Sequence, residues 1–288
     1  MTTAPSDDPF EDVEEDAAPI TPAQTVAELL NDARRGYVPI RKVFVQKERT
    51  AEDRAAKLAE VVQGRHQQPL NALLLLHALE PILRDRPLDM RVWARLLSTK
   101  SQCTPSAATK AFTTLVDLGL VSRTHEGQAP VLRPLHEGTG EAWTRPGEDD
   151  QEGGPGYFTL PHTYWTMGYA DQLTLPGKAM LLIMLAETQQ PTKKHFAMAV
   201  SQAKDWYGIS ERTAERGYRE LNNAGLLLVK IQKVPDAKHP VGRREVWHRA
   251  LGSPFGTMDR FHLQHEAKAA AEKNAASKSP SPRSADTS

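Results

Sequence analysis

Asp205-Trp206-Tyr207-Gly208-Ile209-Ser210-Glu211-Arg212-Thr213-Ala214-Glu215-Arg216-Gly217-Tyr218-Arg219-Glu220-Leu221 is the stretch from which the rest of the chain is read. Ser210 suits an N-cap, its hydroxyl accepting an orphan backbone N–H, and Glu211 suits the positive end of a helix dipole. Ala214, Gly217, Tyr218 and Leu221 then recur at i, i+3, i+4 and i+7, the inward stripe of a half-buried helix. Gly225 closes that helix, because glycine tolerates the left-handed conformation at a helix C-terminus. Two strand-like runs follow, residues 226–234 and 243–250, around a loop at 235–242.

The same pattern occurs earlier in the chain at a gap-free offset of 106 residues. Leu75, Leu76 and Leu79 fall on Leu181, Leu182 and Leu185. Thr104 falls on Ser210, Ala108 on Ala214, Lys110 on Arg216, Ala111 on Gly217 and Phe112 on Tyr218. Leu115, Gly119 and Leu120 fall on Leu221, Gly225 and Leu226. Pro105 fits the first position of the earlier helix. Each copy opens with an apolar helix (70–83; 177–187) and continues with a shorter one (88–97; 194–206) before the capped turn. The earlier copy ends in strand-like runs at 120–123 and 129–132 around Gly127.

Helix, helix, turn, helix and β-hairpin, twice over, resembles the winged helix-turn-helix family. That order is found in many bacterial transcription regulators and in plasmid replication initiators, some with two such domains in tandem. The resemblance covers residues 69–136 and 157–250 and is carried most closely by 205–217; Ser101-Gln102-Cys103 in the first copy departs from Tyr207-Gly208-Ile209 in the second. The fold class expected is mainly α with small β-hairpins (α+β): two winged helix-turn-helix domains joined by an acidic Gly-rich linker, with disordered termini. The resemblance implies that the third helix of each copy enters the major groove of duplex DNA, while the hairpin contacts an adjacent groove or phosphates.

In the second copy the outward face carries Arg212, Thr213, Glu215, Arg216 and Arg219, and the hairpin carries Lys230, Lys233, Lys238, Arg243 and Arg244. Residues 193–249 hold twelve Lys or Arg against six Asp or Glu, a local charge of +6 suited to phosphates and to salt-dependent binding. Arg212 and Arg216 are the expected base readers, able to donate paired hydrogen bonds to guanine; Ser210 and Thr213 can hold a phosphate, and Arg219 reaches the backbone. The bland reading is a solvated helix face with a Glu215–Arg219 pair worth a few tenths of a kcal/mol. In the first copy the matching positions are Thr104, Ser106, Ala107, Thr109, Lys110 and Thr113, with Arg123 and Arg133 on the hairpin. Residues 69–136 carry only +3, so that copy serves equally as a DNA contact or as a dimerisation or packing surface. Trp93, Trp206, Tyr207 and Tyr218 are expected in the core.

The 288 residues carry no net charge, but the charge is uneven. Residues 1–20 hold seven acids and no base, leaving +7 on the remainder. This acidic tail has too little apolar surface to offset its ordering entropy and is expected to be disordered, either for solubility or as a decoy for basic surface. A helical N-terminal extension is expected at 21–68, with helices at 22–35 and 50–63 and a strand at 37–46 between them. Residues 137–156, with six Gly, two Pro and six acids, read as a flexible linker between domain 69–136 and domain 157–258. Residues 259–288 begin as an Ala-, Lys- and Glu-rich helix and decay into a Ser/Pro-rich tail.

No apolar run approaches the roughly 20 residues that a bilayer span needs, and residues 1–20 lack a secretory pattern, so a cytoplasmic, nucleoid-associated location is expected. No enzyme motif is present: Pro176-Gly177-Lys178-Ala179 lacks the first glycine and the hydroxyl of a phosphate loop. His262 and His265 have no third ligand nearby, and the lone Cys103 reads as a small core residue, so neither metal nor cofactor is expected. The expected function is sequence-specific binding of double-stranded DNA, first as a transcription regulator and second as a plasmid or mobile-element replication initiator. A protein-interaction module without DNA contact is the remaining alternative. A homodimer through the N-terminal helices or the C-terminal helix is compatible with the sequence; an effector ligand is not indicated.

Overall fold

A computed structural model describes residues 18–48, 50–84, 86–126, 129–147 and 156–278. The expectations for the acidic stretch 1–17, for Gly127, for linker residues 148–155 and for the tail after 278 lie outside these residues. The chain is a mixed α+β protein with small antiparallel sheets.

The N-terminal extension begins with α1 (Pro22–Asp32), where Thr21 and Gln24 form a reciprocal capping box. Strand β1 (Tyr37–Arg41) follows, then α2 (Lys57–Gln63). The expected strand 37–46 stops at Arg41 because a 3-10 turn starts at Lys42, whose carbonyl accepts from Val45 and Gln46 at 2.9 and 3.0 Å. The expected helix 50–63 loses its first half: the Asp53 carboxylate accepts the Ala55 N–H at 2.9 Å, a local turn that competes with helix.

The first repeat comprises α3 (Gln67–Leu83), α4 (Met90–Leu96), α5 (Pro105–Asp117) and the hairpin β2 (Val121–Glu126) and β3 (Ala129–Pro134). Next come β4 (Tyr157–Pro161), which pairs antiparallel with β1 in the register Tyr37↔Pro161 to Arg41↔Tyr157, and the short helices α6 (Thr163–Thr166) and α7 (Tyr169–Gln172). The second repeat comprises α8 (Leu175–Glu187), β5 (Phe196–Ala197), α9 (Ala203–Tyr207), α10 (Glu211–Asn223), β6 (Leu227–Pro235) and β7 (Arg243–Leu251). Helix α11 (Thr257–Lys278) closes the described chain.

The offset seen in the sequence holds in three dimensions. Shifted by 106, α5 coincides with α10 end for end, and β2 starts where β6 starts. The Thr104 hydroxyl accepts from Ala107 N–H and the Ser210 hydroxyl from Thr213 N–H, both at 3.2 Å. Gly119 and Gly225 both take left-handed backbone, at φ 67° and 71°.

Residues 194–206 correct the sequence reading. They form no single helix: Phe196 and Met198 alternate into the core, and β5 pairs with β7 through Phe196↔Arg249 and Ala197↔His248. A 3-10 turn and α9 take up the remainder. The second sheet therefore has three strands in the order β5-β7-β6.

The opening helix of each repeat is apolar almost all round, and such a helix needs cover on every side. Helix α3 is covered by α1, α2, α5, β1 and β3, and α8 by α2, α10, β4 and β7. One continuous apolar core consequently runs through both repeats and the N-terminal extension. Trp93 meets Phe112 edge-on at 4.9 Å, and Cys103, Tyr207 and Tyr218 are buried in this core, whereas Trp206 is only half-buried against it.

Residues 137–147 correct the flexible-linker reading for that part. Glu137 is buried and accepts from the Arg41 guanidinium at 3.1 Å and from the Arg41 backbone N–H at 3.2 Å. The same guanidinium donates to the Thr144 carbonyl and hydroxyl at 3.0 and 2.9 Å. A buried, paired carboxylate fixes a segment whose Gly and acid content alone suggests freedom. At the other end Arg260, also buried, donates to the carbonyls of Leu185 and Thr188 at 3.1 and 2.7 Å, placing a cation on the negative end of α8 and anchoring α11. Among the described residues no helix is long and apolar enough to cross a membrane.

Candidate nucleic-acid interface

Helix α10 presents two sides. Ala214, Gly217, Tyr218 and Leu221 are buried, while Arg212, Glu215, Arg216 and Arg219 are exposed and Thr213 is half-exposed. Close packing on α8 sets this orientation: a Cβ on Gly217 would lie 2.4 Å from the Pro176 carbonyl oxygen and from Met180 Cγ. The helix axis is drawn so near α8 that the charged side has no alternative to solvent.

The arginines of that side differ in their partners. Arg212 and Arg219 have no ion-pair partner among the described residues, whereas Arg216 Nε donates to Glu220 at 3.0 Å. The pair at i, i+4 is thus Arg216–Glu220 rather than the Glu215–Arg219 pair weighed from sequence. Glu220 also accepts the backbone N–H of Thr174 at 2.9 Å and its hydroxyl at 2.5 Å, holding the residue that precedes α8. An exposed pair of this type is worth a few tenths of a kcal/mol, whereas a bidentate arginine–guanine contact is worth about 1–3 kcal/mol. The pair therefore does not prevent Arg216 from reaching a base, and Glu220 keeps its α8 contacts when the arginine leaves.

Hairpin β6–β7 projects beyond the core as two nine-residue strands, paired from Leu227↔Leu251 to Pro235↔Arg243. Lys230, Lys233, Lys238, Arg243 and Arg244 are all exposed on it. With side chains alternating along the strand, Lys230 and Lys233 lie on opposite faces. Arg244 pairs with Asp236 at 3.7 Å. Arg249, counted in the basic cluster of the sequence, is instead buried: its guanidinium lies 4.1 Å from the Tyr218 ring and donates to the Met198 carbonyl at 3.0 Å. It ties the sheet to α10 and adds no charge to the outer surface. Burial raises the Tyr218 phenol to about 12 despite the opposing effect of Arg249, so the ring stays neutral beneath the cation.

In the first repeat Thr104, Ser106, Lys110 and Thr113 are exposed on α5 and Thr109 is half-exposed. The hydroxyls of Thr109 and Thr113 donate back to the carbonyls of Pro105 and Thr109 at 2.9 and 3.0 Å, leaving their lone pairs outward. The hairpin β2–β3 does not project in the same way: Val121, Val131, Leu132 and Pro134 are buried and Arg123 is half-buried.

Two features have no local signal in the sequence. Leu228, Val229, Ile231 and Trp247 on the second hairpin are exposed large apolar side chains, although the sequence of these runs reads only as strand. In addition, the turn between α2 and α3 lies against the start of α10. The Gln63 side chain donates to the Gly208 carbonyl at 2.9 Å, and Gly208, at φ 65°, has room for no Cβ because Ala55 and Ala59 lie 2.7 and 2.8 Å from that position. A groove of about 650 Å³ opens there, with Arg65 on one wall and Arg212 and Arg216 on the other. Nothing local connects residue 65 with residue 212; the N-terminal extension brings them together.

No protein-family model, no curated protein and no solved structure matches this chain. Among the described residues no group of three or more His, Cys, Asp or Glu side chains is placed to hold a metal ion.

Proposed function

We propose that the chain is a tandem winged-helix protein that binds double-stranded DNA in a sequence-specific manner through α10, with hairpin β6–β7 as its wing. The observation that carries this reading is the joint placement of Arg212, Arg216 and Arg219 on the solvent side of a capped helix and five exposed cations on the hairpin that follows it. A helix fits the width of the major groove, and cations flanking it neutralise phosphates and release counterions. Control of transcription is the role proposed first. Replication initiation on a plasmid or mobile element comes second, supported by two unequal repeats in one chain, which suit a non-palindromic site.

The test is titration of labelled duplex DNA at several salt concentrations. The proposal requires affinity that falls steeply with salt, by about 0.9 logarithmic units per logarithm of salt for each phosphate contacted. Absence of binding at low salt excludes it. The exposed Leu228, Val229, Ile231 and Trp247 favour a second reading, a protein-docking hairpin, for which salt-insensitive self-association or partner binding is the signature.

A further inference from the structure

We propose that the groove between the α2–α3 turn and the N-terminal turn of α10 is a phosphodiester site, in which Arg65 holds the DNA backbone beside the strand that Arg212 and Arg216 address. This assignment rests on the DNA-binding reading and deepens it, since it adds a contact from outside both repeats.

Arg65 occupies left-handed backbone at φ 54°, a conformation that favours glycine and is costly for a residue with a Cβ. It stands immediately after α2, where the Arg65 N–H bonds to the Val62 carbonyl at 3.1 Å and the His66 N–H to the Val61 carbonyl at 2.9 Å, closing the helix. A glycine or asparagine is the ordinary occupant of such a closing position. An exposed arginine stands there at φ 54°, as Arg34 does after α1, so it is the position of Arg65 beside α10 and not the backbone strain that gives it a role outside the turn.

The surroundings define that role. The turn is fastened to the second repeat on two sides, by Gln63 to the Gly208 carbonyl and by the Leu175 N–H to the Gln67 side-chain oxygen at 3.1 Å. Arg65 is thereby held at a fixed place next to α10 instead of sweeping through solvent. The groove it borders is lined by three arginines and by the hydroxyl-bearing Thr174, Ser210 and Thr213, and the Glu220 carboxylate beside it is already held by Arg216 and by the N–H and hydroxyl of Thr174. Guanidinium groups and hydroxyls around an open channel suit a singly charged phosphodiester that enters and leaves along a chain. At about 650 Å³ the space is larger than one inorganic phosphate needs.

The decisive variant is Arg65→Gly in the full chain, because glycine removes the cation while suiting the positive φ. Its thermal unfolding midpoint should equal or exceed that of the natural protein. On the duplex selected by the natural protein, and on unselected duplex alike, binding should weaken about tenfold at low salt. The slope of log affinity against log salt should fall by about one unit, with the preferred sequence unchanged. Arg65→Lys should retain most of the slope. Unchanged affinity and slope in Arg65→Gly, with the natural protein still binding DNA, would overturn the groove assignment and leave the α10 reading standing. A changed base preference at constant slope would overturn it as well, making Arg65 a base contact. If the natural protein binds no duplex, both readings fall together.

Discussion

The ammonium of Lys178 on α8 donates a hydrogen bond to the side-chain oxygen of Asn71 on α3, joining the two repeats through a buried polar contact. Lys178 is 1% exposed, and burial lowers it from 10.5 to about 8 against the opposing pull of Asp171 and Glu220. Below about pH 8 the folded chain carries the full cost of the buried charge. Between about 8 and 10.5 it releases the proton before the unfolded chain does, so this residue makes stability rise with pH across that window. The rise amounts to on the order of 3 kcal/mol. Denaturant unfolding at pH 7.5 and 10 should show that Lys178→Met flattens the profile relative to the natural protein. Parallel profiles would place Lys178 outside the buried junction.

Gly217 predicts an asymmetry between the repeats. Its counterpart in α5 is Ala111, whose Cβ is buried, whereas a Cβ at 217 meets the Pro176 carbonyl at 2.4 Å. Gly217→Ala should cost about 1–3 kcal/mol by overpacking and lower the melting midpoint by several degrees. A midpoint unchanged or raised would mean that α10 does not pack against α8 at the distance that excludes a Cβ at 217.

Much of this was legible because it is local. The capped starts at Thr104 and Ser210, the stripes ending at Leu115 and Leu221, and the closing Gly119 and Gly225 all declare themselves within one or two turns of chain. What escaped depends on partners far away. Phe196 and Ala197 became strand because β7 lies beside them, and Glu137 became a fixed point because Arg41, 96 residues earlier, needs a buried carboxylate. Arg249 is indistinguishable from its cationic neighbours until Tyr218 is seen beneath it. The face of α10 was readable from its period alone, but its neighbour Arg65 was not.

Arg216 and Arg212 should act on base preference. Arg216→Ala is expected to weaken specific binding by about 1–3 kcal/mol and to blur one position of the preferred site. Because Glu220 retains its bonds to Thr174, the melting midpoint should shift little. Competition between matched and singly mismatched duplexes measures the effect, and an unaltered preference removes Arg216 from the readers.

Lys233 and Arg249 should separate phosphate contact from structure on the same hairpin. Lys233→Ala is expected to weaken binding to all sequences about equally and to reduce the salt slope by about one unit, with stability unchanged. Arg249→Ala should instead destabilise the sheet by about 1–3 kcal/mol, because it removes the donor to the Met198 carbonyl and the cover over Tyr218. Unfolding and salt titrations on both variants check this; exchanged phenotypes would contradict the assignment of inner and outer cations.

The central claim is that α10 reads sequence, and selection of binding sites from random duplex DNA tests it most directly, run in parallel with the natural protein and an Arg212→Ala/Arg216→Ala variant. The account predicts one enriched motif for the natural protein, direct or unequal in its halves if both repeats take part, and loss of its central preferences in the variant with salt-dependent binding retained. An identical motif from both proteins, or no motif from either, would contradict it.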